Sequence, residues 1–354
     1  MQEVYVMAAL NDILSAAQAL SQEDLRSLSE RILGLLNIPN NENAPEAKCD
    51  CCRRCSSDKI VKYGKDKNGK QRYKCKSCNT VFYADSFSVT SRTHTDPQTW
   101  RTYVDLLLNR ASLKKCAIVC KISVQTAFTW RHKILSALQK DQENRMLGGI
   151  VEADETFFGI SYKGNHSKSK KFTMPRRPYK RGTDSREQTG SRACVMCAFE
   201  RNGQSYVEVL GKGQPTIGML SHAFGNRLMP ETIFITDKAI GMKNYFKDNK
   251  SIQLIQLKAH IKPKSMNSPP EVRGAFHINN INNMHYRLRN ALKPYCGVST
   301  KYLNHYVNLF AWIENHKSIP DFDFNQELCL TLHEQNGYIP LRNIVDLPSI
   351  PVVA

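Results

Sequence analysis

Asp154 and Asp237 each close a short apolar run, residues 150–153 and 233–235, and an open sheet presents polar side chains to a ligand crevice at such strand ends. Two carboxylates placed that way can share a divalent cation. Hard cations such as Mg²⁺ or Mn²⁺ take oxygen ligands, and the side-chain carbonyl of Asn282 offers a third. A helix is expected over about residues 278–293, with Ile281, Met284, Leu288 and Leu292 on one stripe and Asn282, His285 and Arg289 on another. Arg289 stands two turns beyond Asn282, placed to hold a phosphate. Such a set suits two-metal chemistry on a phosphodiester, in which one cation activates a water or aligns a 3′-hydroxyl and the other stabilises the leaving oxygen. Each aspartate also has a plainer explanation, as the cap of the helix or turn after its strand. Glu155 is expected on the face opposite Asp154, where it could support the site indirectly. His277 and His285 are weaker candidates for positioning phosphate, since a histidine near a helix is more often structural.

A second chemistry is written in Cys52-x2-Cys55, nineteen intervening residues, and Cys75-x2-Cys78, two thiolate knuckles at the separation that suits one tetrahedral Zn²⁺. Between them, residues 60–63 and 71–74 read as a hairpin around Asn68-Gly69, and residues 81–83 as a third strand. Cys49 and Cys51 crowd the first knuckle, so ligand swapping with Cys52 is conceivable, and buried core thiols are the bland alternative. Cys194 and Cys197, three apart in a strand, point to opposite faces and read as core residues with Cys116, Cys120, Cys296 and Cys329.

The elements that must carry these residues follow. Residues 1–40 read as a helical hairpin, with Ser21 capping its second helix, and 37–48 as a linker. Residues 49–92 form the zinc ribbon, with eleven Lys/Arg against four Asp/Glu. Residues 93–142 have helix-turn-helix spacing: Asp96-Pro97, Ser112 and Ser123 open three helices, and Gln125, Thr126, Thr129 and Lys133 face outward from the last, available to base edges and phosphate. A generic three-helix bundle is the alternative, and Lys121 stands in the turn where Gly is common. From residue 147 to 316 strands enter and the pattern is mixed α/β, with a hairpin around Asn202-Gly203. The stretch 160–192 holds ten Lys/Arg and two acids, too polar for a core, and its Arg176, Arg177, Lys180 and Arg181 are candidate DNA contacts. The tail, 317–354, carries no clear signal.

The 354 residues allow two or three domains, and 50 Lys/Arg against 32 Asp/Glu, a formal charge of +18, favour nucleic acid as partner. No apolar run of bilayer length is present, which argues against a membrane protein. The first basic residue is Arg26, so no secretory n-region is expected, and free cysteines fit a reducing cytosol.

Asp154-Glu155-Thr156 with Phe158-Gly159, Thr236-Asp237, His277, the run from Ile281 to His285, and the run from Gly297 to Leu303 resemble bacterial insertion-sequence transposases of the ISXO-like, DDE-related class. Ser112-Leu113, the run from Trp130 to Leu135 and the preceding ribbon carry the same likeness, in order, over roughly residues 49–316. The resemblance implies an RNase H-like catalytic core and cut-and-join chemistry on double-stranded transposon ends and target DNA. It implies a homo-oligomer assembled on DNA and a cytoplasmic, nucleoid-associated location. By position, Asp154, Asp237 and Asn282 take the three metal-binding places, and Arg289 a place commonly held by lysine. Asn282 brings no negative charge, so weak metal binding without DNA is expected. A transposase-derived regulator without catalysis and a nuclease without strand transfer are the rivals.

Overall fold

The computed structural model describes Ser21 and residues 49–351 apart from 53, 56, 68, 85, 87, 92, 94, 144, 165–191, 259–270, 321–322 and 335–340. The expected helical hairpin over 1–40 and the linker therefore lie outside the described residues, as do Arg176, Arg177, Lys180 and Arg181. The chain forms two compact units, Met1–Ala84 and Asp85–Ala354.

In the first unit β1 (Ile60–Lys65) pairs antiparallel with β2 (Gln71–Cys75), which pairs with β3 (Val81–Phe82). Gly69, at φ +81°, makes the turn, and the Asp66 carboxylate accepts the Lys70 N–H at 2.9 Å. Among the described residues its buried apolar set is only Cys52, Tyr73, Cys75 and Phe82. A core that small does not offset chain entropy alone, so the sheet needs a staple.

The second unit opens with three helices where the sequence places them: α1 (Pro97–Leu108), α2 (Leu113–Val119) and α3 (Val124–Ala137). Each begins on its expected cap, Asp96, Ser112 and Ser123, whose side-chain oxygens accept the N–H of Thr99, Lys115 and Thr126. Lys121 takes the left-handed turn between α2 and α3 at φ +52°, the conformation in which Gly is usual. A short α4 (Gln139–Glu143) leads into the sheet.

That sheet has the order β6-β5-β4-β7-β8. β4 (Ile150–Gly159), β5 (Arg192–Glu200) and β6 (Ser205–Lys212) form an antiparallel meander, with Gly203 at φ +106° in the hairpin turn. β7 (Thr232–Asp237) then lies parallel to β4, and β8 (Ile252–Leu257) parallel to β7. A three-strand meander joined on its first strand by two parallel strands is an RNase H-like sheet. One expectation is corrected: β4 does not end at Asp154 but continues through Gly159, because β5 stays paired beside it from Val151 to Gly159.

Both faces are covered. α5 (Ile217–Phe224) and α6 (Ile240–Phe246) bury Leu220, Phe224, Met242 and Phe246 against Val151, Ala153, Met196 and Phe234. On the other face α7 (Asn279–Leu292) and α8 (Leu303–His316) bury Ile281, Met284, Leu288, Val307 and Phe310 against Val195, Cys197, Ile235 and Leu257. Cys194 and Cys197 are both fully buried. The tail carries more than its sequence suggested: α9 (Phe324–Glu334) places Leu328 and Leu332 in one apolar core with Trp100, Tyr103, Trp130 and Ile134 of the three-helix segment and Trp312 of α8. A last helix, α10, spans Leu341–Val345.

Candidate active site and metal centres

The pairing of β4 with β7 runs Ile150 to Ile233, Val151 to Phe234 and Glu152 to Ile235. Two residues further at the same offset, Asp154 stands level with Asp237. Neighbouring strands lie about 4.8 Å apart. The two aspartates also sit where the sheet order reverses, β4 being followed by β5 on one side and flanked by β7 on the other. Such a switch point opens a crevice at the strand ends.

α7 runs along the Asp154 face of β4, and the match between them is geometric. Two strand residues advance about 6.6 Å and four helix residues about 6 Å. Every second residue of β4 therefore meets about every fourth of α7. The Glu152 carboxylate accepts the Asn280 N–H at 3.0 Å, the Asn280 side-chain amide at 2.8 Å and the Ile281 N–H at 3.3 Å. Asp154 Oδ2 lies 3.9 Å from His285 Nδ1. Thr156 Oγ1 accepts from Arg289 Nη2 at 2.5 Å. Glu152 is fully buried and also pairs with Arg201 at 3.0 Å and faces His277 Nδ1 at 3.5 Å. It caps the helix that Ile278, with no side-chain cap, leaves uncapped. Sequence reasoning missed Glu152, for which an acidic residue inside an apolar run was the available signal.

Asn282 is exposed on the turn before His285, its N–H bonded to Ile278 O at 3.1 Å, and among the described residues no hydrogen bond joins it to either aspartate. The polar stripe of α7 is thus uneven: Asn282 and Arg289 are exposed, whereas His285 is buried.

The electrostatics are those of an acidic site short of positive charge. Burial, then the neighbouring Glu155 and Asp237 charges, hold the Asp154 carboxyl well above the usual range. Glu155 is pushed up to about 7 by burial and by Asp237, and Asp237 is raised by burial although the Ala239 N–H opposes the shift. Burial lowers His285 to about 4. Glu155 Oε2 and His285 Nε2 are buried without a hydrogen-bond partner. Crowded carboxylates and an unpartnered oxygen fit a divalent cation, which would favour the charged form of each acid.

Cys52, Cys55, Cys75 and Cys78 bring their sulfurs within 4.8 Å of one another. Cys52 to Cys78 and Cys55 to Cys75 both measure 3.6 Å. A tetrahedron with Zn–S of about 2.3 Å has sulfurs about 3.8 Å apart, so the donors fit zinc. Cys49 turns away, its thiol donating to Cys51 O at 3.0 Å, and neither Cys49 nor Cys51 belongs to the cluster.

On α3, Gln125 is exposed, while Thr126, Thr129 and Lys133 are half-buried. Thr126 shares a 2.9 Å hydrogen bond with Ser123, and the Thr129 hydroxyl donates to Gln125 O at 2.9 Å. Val124, on the same first turn, is 49 % exposed.

No helix among the described residues is long and apolar enough to cross a membrane. No curated protein matches the chain. Among solved structures, a Mos1 strand transfer complex aligns over 69% of this chain and 78% of its own at 13% identity, with a TM-score of 0.22. A Mos1 paired-end complex with the left transposon end aligns over 70% and 79% at 12% identity, again with a TM-score of 0.22. Scores that low carry no weight for fold or function. The sequence of residues 146–315, in contrast, matches the ISXO2-like transposase domain family, from before β4 into the last turn of α8.

Proposed function

We propose that the protein is a DNA transposase that binds the terminal inverted repeats of an insertion sequence and performs metal-dependent strand cleavage and strand transfer. The level placement of Asp154 and Asp237 within an ISXO2-like transposase domain carries this reading. Asp154 and Asp237 hold the divalent cations, Mg²⁺ or Mn²⁺, with Asn282 as the third oxygen donor. Cations held there lower the pKa of an attacking water or hydroxyl and stabilise the leaving oxygen. Arg289 keeps its charge beside the strand end and draws a DNA phosphate toward it. Glu152, by anchoring the first turn of α7, fixes where Asn282 and Arg289 stand.

DNA is gripped elsewhere. α2, the Lys121 turn and α3 act as a helix-turn-helix, with Gln125 reading a base edge and Thr126, Thr129 and Lys133 along the same flank. The ribbon, stapled by Zn²⁺ on Cys52, Cys55, Cys75 and Cys78, adds a basic surface in which Arg72 and Lys74 lie over the Tyr63 ring. Arg176, Arg177, Lys180 and Arg181 extend that grip. Two ends must be paired, so the working species is a homo-oligomer on DNA, acting in the bacterial cytoplasm at the nucleoid.

Labelled terminal DNA supplied with Mg²⁺ or Mn²⁺ tests this. Wild-type protein should cut the ends and join them to a second duplex, while Asp154→Asn and Asp237→Asn bind the ends within about twofold and lose at least about a thousandfold in cleavage. Binding without cutting by the wild type supports a regulator, cutting without joining a nuclease, and full activity in either variant overturns the assignment.

A further inference from the structure

Asp154 and Glu155 are consecutive in a strand, so their side chains leave it on opposite faces. Asp237 is the last residue of the neighbouring strand. Beyond it β4 continues for five residues, 155–159, that have no β7 partner. A cavity of about 470 Å³ opens there, and its wall includes Glu155 and Asp237 together with Gln214, Lys238, Ile240 and Met242.

We propose that Glu155 is a further metal-binding residue of this site, holding a divalent cation together with Asp237 where their shared cavity opens past the end of β7. The proposal rests on the transposase reading and supplies the negative charge that Asn282 lacks. Two observations support it. Glu155 and Asp237 share one cavity wall, and Asn282, which is exposed, is not part of it. One Glu155 oxygen, Oε2, is buried with no hydrogen-bond donor. Carboxylates that repel one another across a cavity are satisfied together by one hard cation. Lys238, on the same wall, is a cation of the chain that such an ion would have to share the space with.

The test uses the full-length, zinc-loaded protein, so that the thiol site is already filled. Mn²⁺ alone is titrated in by electron paramagnetic resonance, without DNA, and the Mn²⁺ concentration for half-maximal cleavage of terminal DNA is measured in parallel. Glu155→Gln, which keeps shape and removes charge, should raise both at least tenfold, with Glu155→Asp in between and end binding unchanged. If Glu155→Gln stays within twofold of wild type on both measures while Asp237→Asn loses them, this proposal falls and the transposase reading stands. If Asp154→Asn and Asp237→Asn also cleave normally, both fall.

Discussion

Arg289 and Thr156 are joined across the interface of α7 and β4, the guanidinium donating to the threonine hydroxyl at 2.5 Å. Thr156 is 2 % exposed, so the bond anchors the end of α7 that follows Asn282 to a buried point two residues past Asp154. Lysine at this position would carry the charge without the planar fork. Arg289→Lys should therefore lower stability by about 1–2 kcal/mol and reduce strand cleavage. Thermal unfolding of Arg289→Lys, Thr156→Val and the double variant measures the pair. Additive losses would show that the bond contributes nothing.

The first unit should depend on its metal. Purified protein is expected to carry one zinc, and Cys75→Ser to lose it along with protection of β1 and β2 against hydrogen exchange. Residues 85–354 should keep their own cooperative unfolding, because they form a separate compact unit. Metal analysis and exchange on the two proteins decide it.

A pH response is built in far from the acids. His132 and His305 are buried with their Nδ1 atoms 2.9 Å apart, so one donates and the other accepts, an arrangement that fails once both rings are protonated. Burial lowers His132 to about 2, helped by His305, Arg131 and Lys301, and lowers His305 to about 4. Depressed pKa values mean that the unfolded chain binds protons first. The stabilisation is complete above the ordinary histidine value of about 6.5 and is lost as pH falls toward 4, on the order of 3 kcal/mol for each ring. Urea unfolding between pH 7 and 4 should show that loss, and His305→Asn should flatten it.

Leu328 is fully buried in the core that also holds Trp100 and Trp130, stacked at 3.8 Å between centroids. Leu328→Ala should cost about 2–4 kcal/mol and change tryptophan fluorescence although it lies in the tail. An unchanged denaturation midpoint would place α9 outside that core.

Much of this was legible because it is local. Cysteine spacing gave the thiol cluster, and Asp96, Ser112 and Ser123 marked helix starts through short-range bonds. The level aspartates were legible only as two strand ends, and one of those ends was wrong. Nothing in Glu155-Thr156-Phe157-Phe158 indicates whether β4 stops, because its continuation depends on the distant partners Val195 and Met196. β8, α5 and α6 went unread as short elements without strong periodicity. The meeting of α7 with β4 joins residues more than 120 apart, and no local pattern encodes it. α9 shows the same limit, since its two buried leucines gain meaning only beside Trp100 and Trp312.

The apolar core that α3 shares with α8 and α9 makes that helix and the sheet carrying Asp154 and Asp237 parts of one solid body. If the proposed function holds, a protein built so would behave as a ruler with the grip at one mark and the blade at another. With Gln125 on its base, the phosphate delivered to Asp237 would then be set by distance along the duplex. Insertions of one base pair between the recognised sequence and the cut would then shift the cut by one nucleotide relative to the transposon end, rather than being absorbed by a hinge.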